Sequence, residues 1–185
     1  MKTKYFLLPA LIVALLQSGA LYAMIEKHAM ILRHGTMITL ATQPVDPRDL
    51  LRGEYVRLGY GISSVEADKV SGTKPDTAGL ADIYVTLKEG ADGRWGFTGA
   101  SWQKRQDLAA GEVQMHGQTM MGAMGVFAVQ YGIERYYLPE GWGRAVEKVQ
   151  SERGVDAVIA VSSAGEAQIR SLKYNGRLLY QEPAY

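Results

Sequence analysis

The stretch Thr42-Gln43-Pro44-Val45-Asp46-Pro47-Arg48-Asp49-Leu50-Leu51-Arg52-Gly53-Glu54-Tyr55-Val56-Arg57-Leu58-Gly59-Tyr60 decides the fold, because a fixed, charged turn runs there straight into a strand. Pro44 and Pro47 lock φ and press Gln43 and Asp46 into extended geometry. Asp46 followed by Pro47 suits the first two positions of a type I turn. Asp49 is placed to cap one helical turn, Leu50-Leu51-Arg52, which Gly53 ends in left-handed geometry. From Glu54 the residues alternate. Val56, Leu58, Tyr60 and Ile62 share one face while Tyr55 and Arg57 take the other, the period of a half-buried strand. The stretch holds no catalytic motif.

Upstream, Tyr5 to Ile25 carries no charged residue and is dominated by Leu, Ala, Ile and Val. At about 1.5 Å per residue this run reaches roughly 30 Å as a helix, the thickness of a bilayer's hydrocarbon core. Lys2 and Lys4 precede it, so the positive-inside rule places residues 1–4 in the cytoplasm and the rest of the chain outside. The competing reading is a cleaved signal peptide, for which Ser18-Gly19-Ala20 supplies small residues. The apolar run continues through Leu21-Tyr22-Ala23-Met24-Ile25 without a polar break, which favours an uncleaved transmembrane helix over residues 5–25. Helical spacing persists beyond it, with Ile25, Ala29 and Leu32 on one stripe, until Gly35 offers a C-cap. Residues 26–35 therefore read as a juxtamembrane stalk. His28 and His34 lie six apart, a spacing that does not share a helical face and argues against a metal pair.

Downstream the pattern is that of strands. Met37 to Thr42 is a first strand, and Glu54 to Ser63 the one leaving the turn. Glu66 to Gly79, with Gly72, Pro75 and Gly79, reads as a loop. Ile83 to Leu87 pairs with Arg94 to Gly99 across Glu89-Gly90-Ala91-Asp92-Gly93. Trp102 to Gly111 connects to strands at Glu112 to Gln118 and Val126 to Tyr131, with another at Ile133 to Leu138. Trp142 to Glu152 has helical spacing and stops before Gly154. Three strands close the chain at Ala157 to Ser162, Ala167 to Lys173 and Arg177 to Tyr180, the last two joined by Asn175-Gly176, a strong hairpin signal. The prediction is a mostly β chain: one transmembrane helix, then a mainly antiparallel, barrel- or sandwich-like domain over residues 36–185 with one short helix.

Composition narrows the function. The chain has 185 residues, with 20 Lys and Arg against 19 Asp and Glu. Without the two lysines ahead of the apolar run the balance is 18 against 19, and such near-neutrality without a basic cluster argues against nucleic acid. The absence of cysteine excludes disulfides and thiol chemistry. The 21 glycines, above the usual share of roughly 7%, favour a turn-rich β domain over a helical bundle.

Gly53-Glu54-Tyr55-Val56-Arg57-Leu58-Gly59-Tyr60 resembles the signature of the GDYXXLXY family, with Glu54 standing where that family has Asp. Glu54 keeps the charge and adds a methylene. Pro44-Val45-Asp46-Pro47-Arg48-Asp49, Tyr131-Gly132-Ile133-Glu134 and Tyr137-Leu138-Pro139-Glu140-Gly141-Trp142-Gly143-Arg144 are similar to the family as well. The resemblance covers most of the chain after the apolar segment. It implies a bacterial membrane-anchored protein of a kind often considered alongside multi-pass membrane proteins, and it brings no reaction with it.

Several constellations could carry chemistry. Asp46, Arg48, Asp49, Arg52, Glu54 and Arg57 form a dense charged set. A second, with Glu134, Glu140, Arg144 and Glu147, surrounds the expected helix and places its last three members along one face. As a cleft, Asp49, Glu54 or Glu140 would do acid–base work while Arg144 holds an anion, as hydrolysis requires. As architecture, Arg48, Asp49, Arg144 and Glu147 would fasten the turn to the helix. Architecture is the preferred reading. A serine–lysine pair, Ser101 with Lys104 or Ser64 with Lys69, lacks any nucleophile motif. Gly117 to Gly122 lacks the lysine of a phosphate-binding loop. Met115, His116, Met120, Met121 and Met124 offer thioethers and an imidazole that suit Cu(I), although methionine also fills irregular cores. Tyr131, Tyr136, Tyr137 and Trp142 are candidates for core or for a binding patch.

The expectation that follows is a single-pass protein of the bacterial inner membrane with a periplasmic β domain and no cofactor, acting through an integral membrane or envelope protein partner rather than as an enzyme. The signature residues Asp46, Pro47, Arg48, Asp49, Gly53, Glu54, Tyr55, Leu58, Tyr60, Glu140, Gly141, Gly143, Arg144 and Glu147 would be binding or structural. A tethered hydrolase and a Met-rich copper binder are the alternatives.

Overall fold

A computed structural model describes residues 4–43, 55–76, 79–120, 125–137 and 155–181. The charge-free run and the polar turns after it form one continuous helix, α1 (Lys4–His34), and the chain then enters β1 (Thr36–Gln43) directly. Segment Pro9–His34 is long and apolar enough to cross a membrane, and none of its most apolar window is buried by the protein. Gly35 does end the helix, but not through left-handed backbone. Its N–H donates to the Ile31 carbonyl at 2.8 Å. A Cβ there would stand 2.5 Å from that carbonyl oxygen and 3.0 Å from the Val161 nitrogen. Glycine lets the helix end press against the domain.

The remaining strands are β2 (Tyr55–Arg57), β3 (Gly59–Tyr60), β4 (Ser64–Glu66), β5 (Val70–Ser71), β6 (Leu80–Glu89), β7 (Trp95–Ser101), β8 (Glu112–Met120), β9 (Val126–Gln130), β10 (Arg135–Tyr137), β11 (Val155–Val161), β12 (Ala167–Tyr174) and β13 (Arg177–Gln181). One sheet runs β13-β12-β11-β1-β3, another β4-β9-β8-β6-β7-β5, and β10 with β2 forms a short ladder of its own. Among the described residues the strand pairings are antiparallel except that of β5 with β7. The chain is thus mostly β, with antiparallel sheets around a shared core, as its alternation implies. Ile38 and Leu40 of β1, Ile83, Val85 and Leu87 of β6, Met115 of β8 and Ile159 of β11 meet in that core. The helix expected at Trp142 to Glu152 and the turn from Pro44 to Glu54 lie outside the described residues.

Two local expectations change. The strand expected from Glu54 to Ser63 is divided: β2 pairs with β10, and β3 pairs with β1. Leu58 sits at the switch and a 3-10 turn, Gly61–Ser63, follows. The alternation survives because Val56, Leu58, Tyr60 and Ile62 stay buried while the partner strand changes. The segment Glu66 to Gly79 is also less of a loop than expected. It contains part of β4, a 3-10 turn at Ala67–Lys69, and β5, which lies parallel to the end of β7 with Val70 opposite Ala100. The hairpins behave as their turn residues dictate. Gly93 takes φ +73° between β6 and β7, and Asn175 and Gly176 take φ 46° and 78° between β12 and β13, the signs a type I′ turn needs.

The sheets are tied across the core by polar contacts. Asp156 of β11 accepts two hydrogen bonds from the Arg94 guanidinium, at 2.9 and 3.1 Å. Gly165, in the turn between β11 and β12, takes φ +92° and accepts a bond from the His116 N–H of β8 at 2.9 Å. Gln114 is buried and bonds Ser101 Oγ at 3.2 Å, while its carbonyl oxygen accepts the Arg105 N–H at 2.9 Å. That network fixes the Trp102 to Gly111 connection against β8.

Candidate functional site

Strand β11 reads Val-Asp-Ala-Val-Ile-Ala-Val, an almost unbroken apolar run, and strands of that kind are covered on both faces. The inner face carries Ala157 and Ile159 into the core. On the outer face Ala160 is fully buried by Ile31 and Leu32 of α1. Ala29 is buried as well, and the Lys27 ammonium pairs with the Glu166 carboxylate beside Gly165. The segment read as a stalk is therefore docked on the domain along its last two turns.

Beside this contact the helix and the domain diverge into a cleft of about 690 Å³. Ile25, His28, Ala29 and Leu32, at helical spacing i, i+3, i+4 and i+7, form one wall. Ile133 to Tyr137 (without Glu134) and the pair Gln168 and Ile169 of β12 form the other. The surface inside is mostly apolar, with Arg135, His28, Gln168, Tyr136 and Tyr137 among its polar residues. Tyr137 on β10 is 68% exposed.

The family-like signature holds that second wall. Strand β2 pairs residue for residue with β10, Tyr55 opposite Tyr137 and Arg57 opposite Arg135. The Leu58 N–H donates to the Glu134 carbonyl at 2.9 Å. The Tyr60 hydroxyl donates to the Ile133 carbonyl at 2.9 Å, and the Tyr131 hydroxyl returns the bond to the Ile62 carbonyl at 2.6 Å. The Glu134 carboxylate closes the loop by accepting the Tyr131 and Gly132 N–H groups at 2.6 and 3.0 Å. Burial first, and the Glu134 charge second, raise the pKa of both phenols far above the ordinary tyrosine value. Both hydroxyls therefore stay protonated donors. The chemistry of this clasp is positional: it fixes segment 131–137 opposite the helix.

Other sequence candidates are distributed differently. Asp46, Pro47, Arg48, Asp49, Gly53, Glu54, Glu140, Gly141, Gly143, Arg144 and Glu147 lie outside the described residues, as do Met121 and Met124. Of the signature, Leu58 and Tyr60 are core, and Tyr55 contributes its backbone to the β2–β10 ladder. Met115 is fully buried in the core, whereas its neighbour His116 faces the other way and bonds the Asp82 carboxylate at 2.9 Å. Met120, 70% exposed, sits four residues along that strand, about 13 Å away. These three side chains do not converge. Ser101 is buried and donates to the Gln103 carbonyl at 2.7 Å, while Lys104 reaches the Ser163 carbonyl. Lys69 pairs with Glu66 at 2.7 Å rather than with Ser64. Among the described residues no group of three or more His, Asp or Glu side chains is gathered as a metal site would require.

The cleft was absent from the sequence reading, although part of its signal was present. A stripe of Ile25, Ala29 and Leu32 that outlasts the charge-free run needs something to pack on, and the domain buries Ala29 and Leu32 of it.

The family model of the GDYXXLXY protein matches residues 17–172. That match takes in the second half of α1 together with nearly the whole β domain. No curated protein and no solved structure matches the chain.

Proposed function

We propose, from the premise that the chain belongs to the GDYXXLXY family, that it is a single-pass protein of the bacterial inner membrane which presents a periplasmic β domain to an integral membrane or envelope protein partner. The observation that carries this reading is the junction. No linker separates α1 from β1, and the helix end is packed on β11 and β12 through Ile31, Leu32 and Ala160. A tethered enzyme that searches for soluble substrate gains reach from a loose stalk. A domain fused stiffly to its helix gains a fixed height and orientation, which is what binding a neighbour in the same membrane requires. The orientation itself rests on Lys2 and Lys4 ahead of the apolar run. The residues assigned to a hydrolase, Asp49, Glu54, Glu140 and Arg144, lie outside the described residues.

The helix surface supports the reading too. Leu11, Leu15, Leu16 and Tyr22 are exposed, and a Cβ added at Gly19 would meet nothing within 4 Å. Small residues let membrane helices approach closely. The experiment is photo-crosslinking in native membranes from position 16 in the helix and position 137 in the domain, with the full chain. Both positions should capture the same multi-pass protein, and Gly19→Leu, which the isolated helix tolerates, should weaken the capture from position 16. Release of the chain by alkaline carbonate, or recovery from both positions without any crosslinked protein, would overturn the proposal.

A further inference from the structure

The outer face of the six-stranded sheet ends in an apolar corner. Leu80 and Met120 stand opposite each other across the β6–β8 ladder, and Val126 opens β9 on the same face as the exposed Ala128. Leu80, Met120 and Val126 are 63%, 70% and 54% exposed, the large apolar side chains that β6, β8 and β9 leave uncovered. The sequence around the corner matches it: from Gly117 to Ile133 there is no Asp, Glu, Lys or Arg. One exposed apolar residue needs no explanation, but a group of them at one end of a sheet marks a contact surface.

Two contacts fix which way the corner points. Arg94, at the opposite end of the sheet from Leu80, bonds Asp156 near the start of β11, while the His116 N–H bonds the Gly165 carbonyl in the turn just past the end of β11. From Glu89, beside Arg94, to Tyr84, opposite His116, β6 covers about 17 Å, and from Asp156 to Val161 β11 covers the same. Strand β8 therefore advances in the same sense as β11. That sense is toward the membrane end of α1: Ala160 meets Ile31 and Leu32, and Glu166 after the turn pairs with Lys27, one helical turn nearer the apolar run. Lys27 stands just beyond Ile25, where the charge-free run ends. Met120 lies about 13 Å farther along β8 than His116, past the level of this turn. We propose that Leu80, Met120 and Val126 enter the boundary between headgroups and acyl chains of the bilayer that α1 crosses, giving the domain a second, shallow attachment. Glu66, Asp68 and Lys69 rim the corner on its β4 side, with Glu66 opposite Val126 and paired to Lys69 at 2.7 Å. Charges there suit headgroups, so only the apolar side chains enter. The inference rests on the membrane-anchored reading above and adds to it: a helix docked along one line lets a domain rock about that line, and a second contact stops it.

The test uses the full chain in nanodiscs of phosphatidylcholine and phosphatidylglycerol, with no other protein present. The chain has no cysteine, so Leu16→Cys, Met120→Cys, Val126→Cys and Leu178→Cys each carry a single nitrobenzoxadiazole label. The quenchers are phospholipids bearing a nitroxide either near the headgroup or near the end of the acyl chain. Leu178 is 56% exposed and lies opposite Lys173, which faces Asp156 at the far end of the domain, so it reports the same label on exposed apolar surface away from the bilayer. Labels at 120 and 126 should be quenched by the nitroxide near the headgroup, and the label at 178 by neither lipid. Leu80→Asp combined with Met120→Asp, both at exposed positions, should keep the parent's thermal midpoint and abolish the quenching at 126. Quenching at 120 and 126 no stronger than at 178 would overturn the inference and leave the corner to a protein partner. Quenching at 126 that survives the double substitution would overturn it too. The label at 16 separates the two proposals. If the chain-end nitroxide quenches it while 120 and 126 stay unquenched, this inference fails alone; if neither lipid quenches it, the membrane-anchored reading fails and this inference with it.

Discussion

Replacing Leu32 by alanine should loosen the helix from the β domain and leave the domain folded. Leu32 and Ile31 are 8% and 5% exposed, and together with Ala160 they form a cluster separate from the main core. Truncating a buried leucine costs about 2–5 kcal/mol in a core. This cluster is small and lies at the edge, so the lower end, about 2 kcal/mol, applies. At about 1.4 kcal/mol per tenfold, the population with the helix end open should rise roughly 30-fold. Tryptic cleavage after Arg33 in detergent micelles reads that population, because a protease needs extended backbone and its rate follows the open fraction when reclosing is fast. In the docked state Arg33 is held within the helix and pairs with Glu26 at 3.2 Å. The thermal midpoint of the domain should barely move, since Ile83, Val85, Met115 and Ile159 keep their packing. A cleavage rate within about threefold of the parent would refute the reasoning, because the junction would then be held by something other than this packing.

Two further predictions concern the ties between the sheets. Arg94→Ala leaves the Asp156 carboxylate, 13% exposed, without its paired donor, whereas Asp156→Ala releases an Arg94 side chain that is 46% exposed and can turn to water. Urea denaturation should accordingly show a loss of about 2 kcal/mol for Arg94→Ala and about 1 kcal/mol or less for Asp156→Ala; equal losses would contradict the asymmetry. The hydrogen bond from His116, helped by Gln118, holds the Asp82 carboxyl below its ordinary range. A group whose folded pKa is lowered stabilises above its unfolded pKa, about 3.9 for Asp, and that contribution disappears as the pH falls through the folded value. The melting difference between the parent and Asp82→Asn should therefore shrink as the pH falls below about 4. A difference that grows on acidification would show the sign to be wrong.

The parts of the fold legible in the sequence are those governed by neighbours in the chain. Gly90 to Gly93 and Asn175-Gly176 impose hairpins through their own backbone preferences, and the alternation of β6 and β8 names the core face. What escaped depends on distant partners. Leu58 keeps its inward direction on both sides of a change of sheet, so a periodicity reading sees one strand where pairing makes two. The parallel pairing of β5 with β7 spans only Val70 and Ser71, too short for a pattern to register. The signature resemblance singled out Leu58 and Tyr60 without saying what they do, and both are buried in the core, where the Tyr60 and Tyr131 hydroxyls form a reciprocal clasp beside segment 131–137. The cleft needed both that segment and the helix stripe, which lie about a hundred positions apart, and no local signal joins Ile25 to Ile133.

The account stands on a domain held at fixed height over the bilayer by its own helix. Nitroxide labels at positions 137 and 92, read by oxygen and nickel accessibility with the full chain in bilayer nanodiscs, test it most directly. Position 92 lies in the hairpin that Arg94 ties to Asp156, four residues or about 13 Å along β11 from the docked Ala160. The account predicts a label at 137 that is shielded from nickel and sits at headgroup depth, with the label at 92 fully aqueous. Equal, fully aqueous signals from both positions would contradict it.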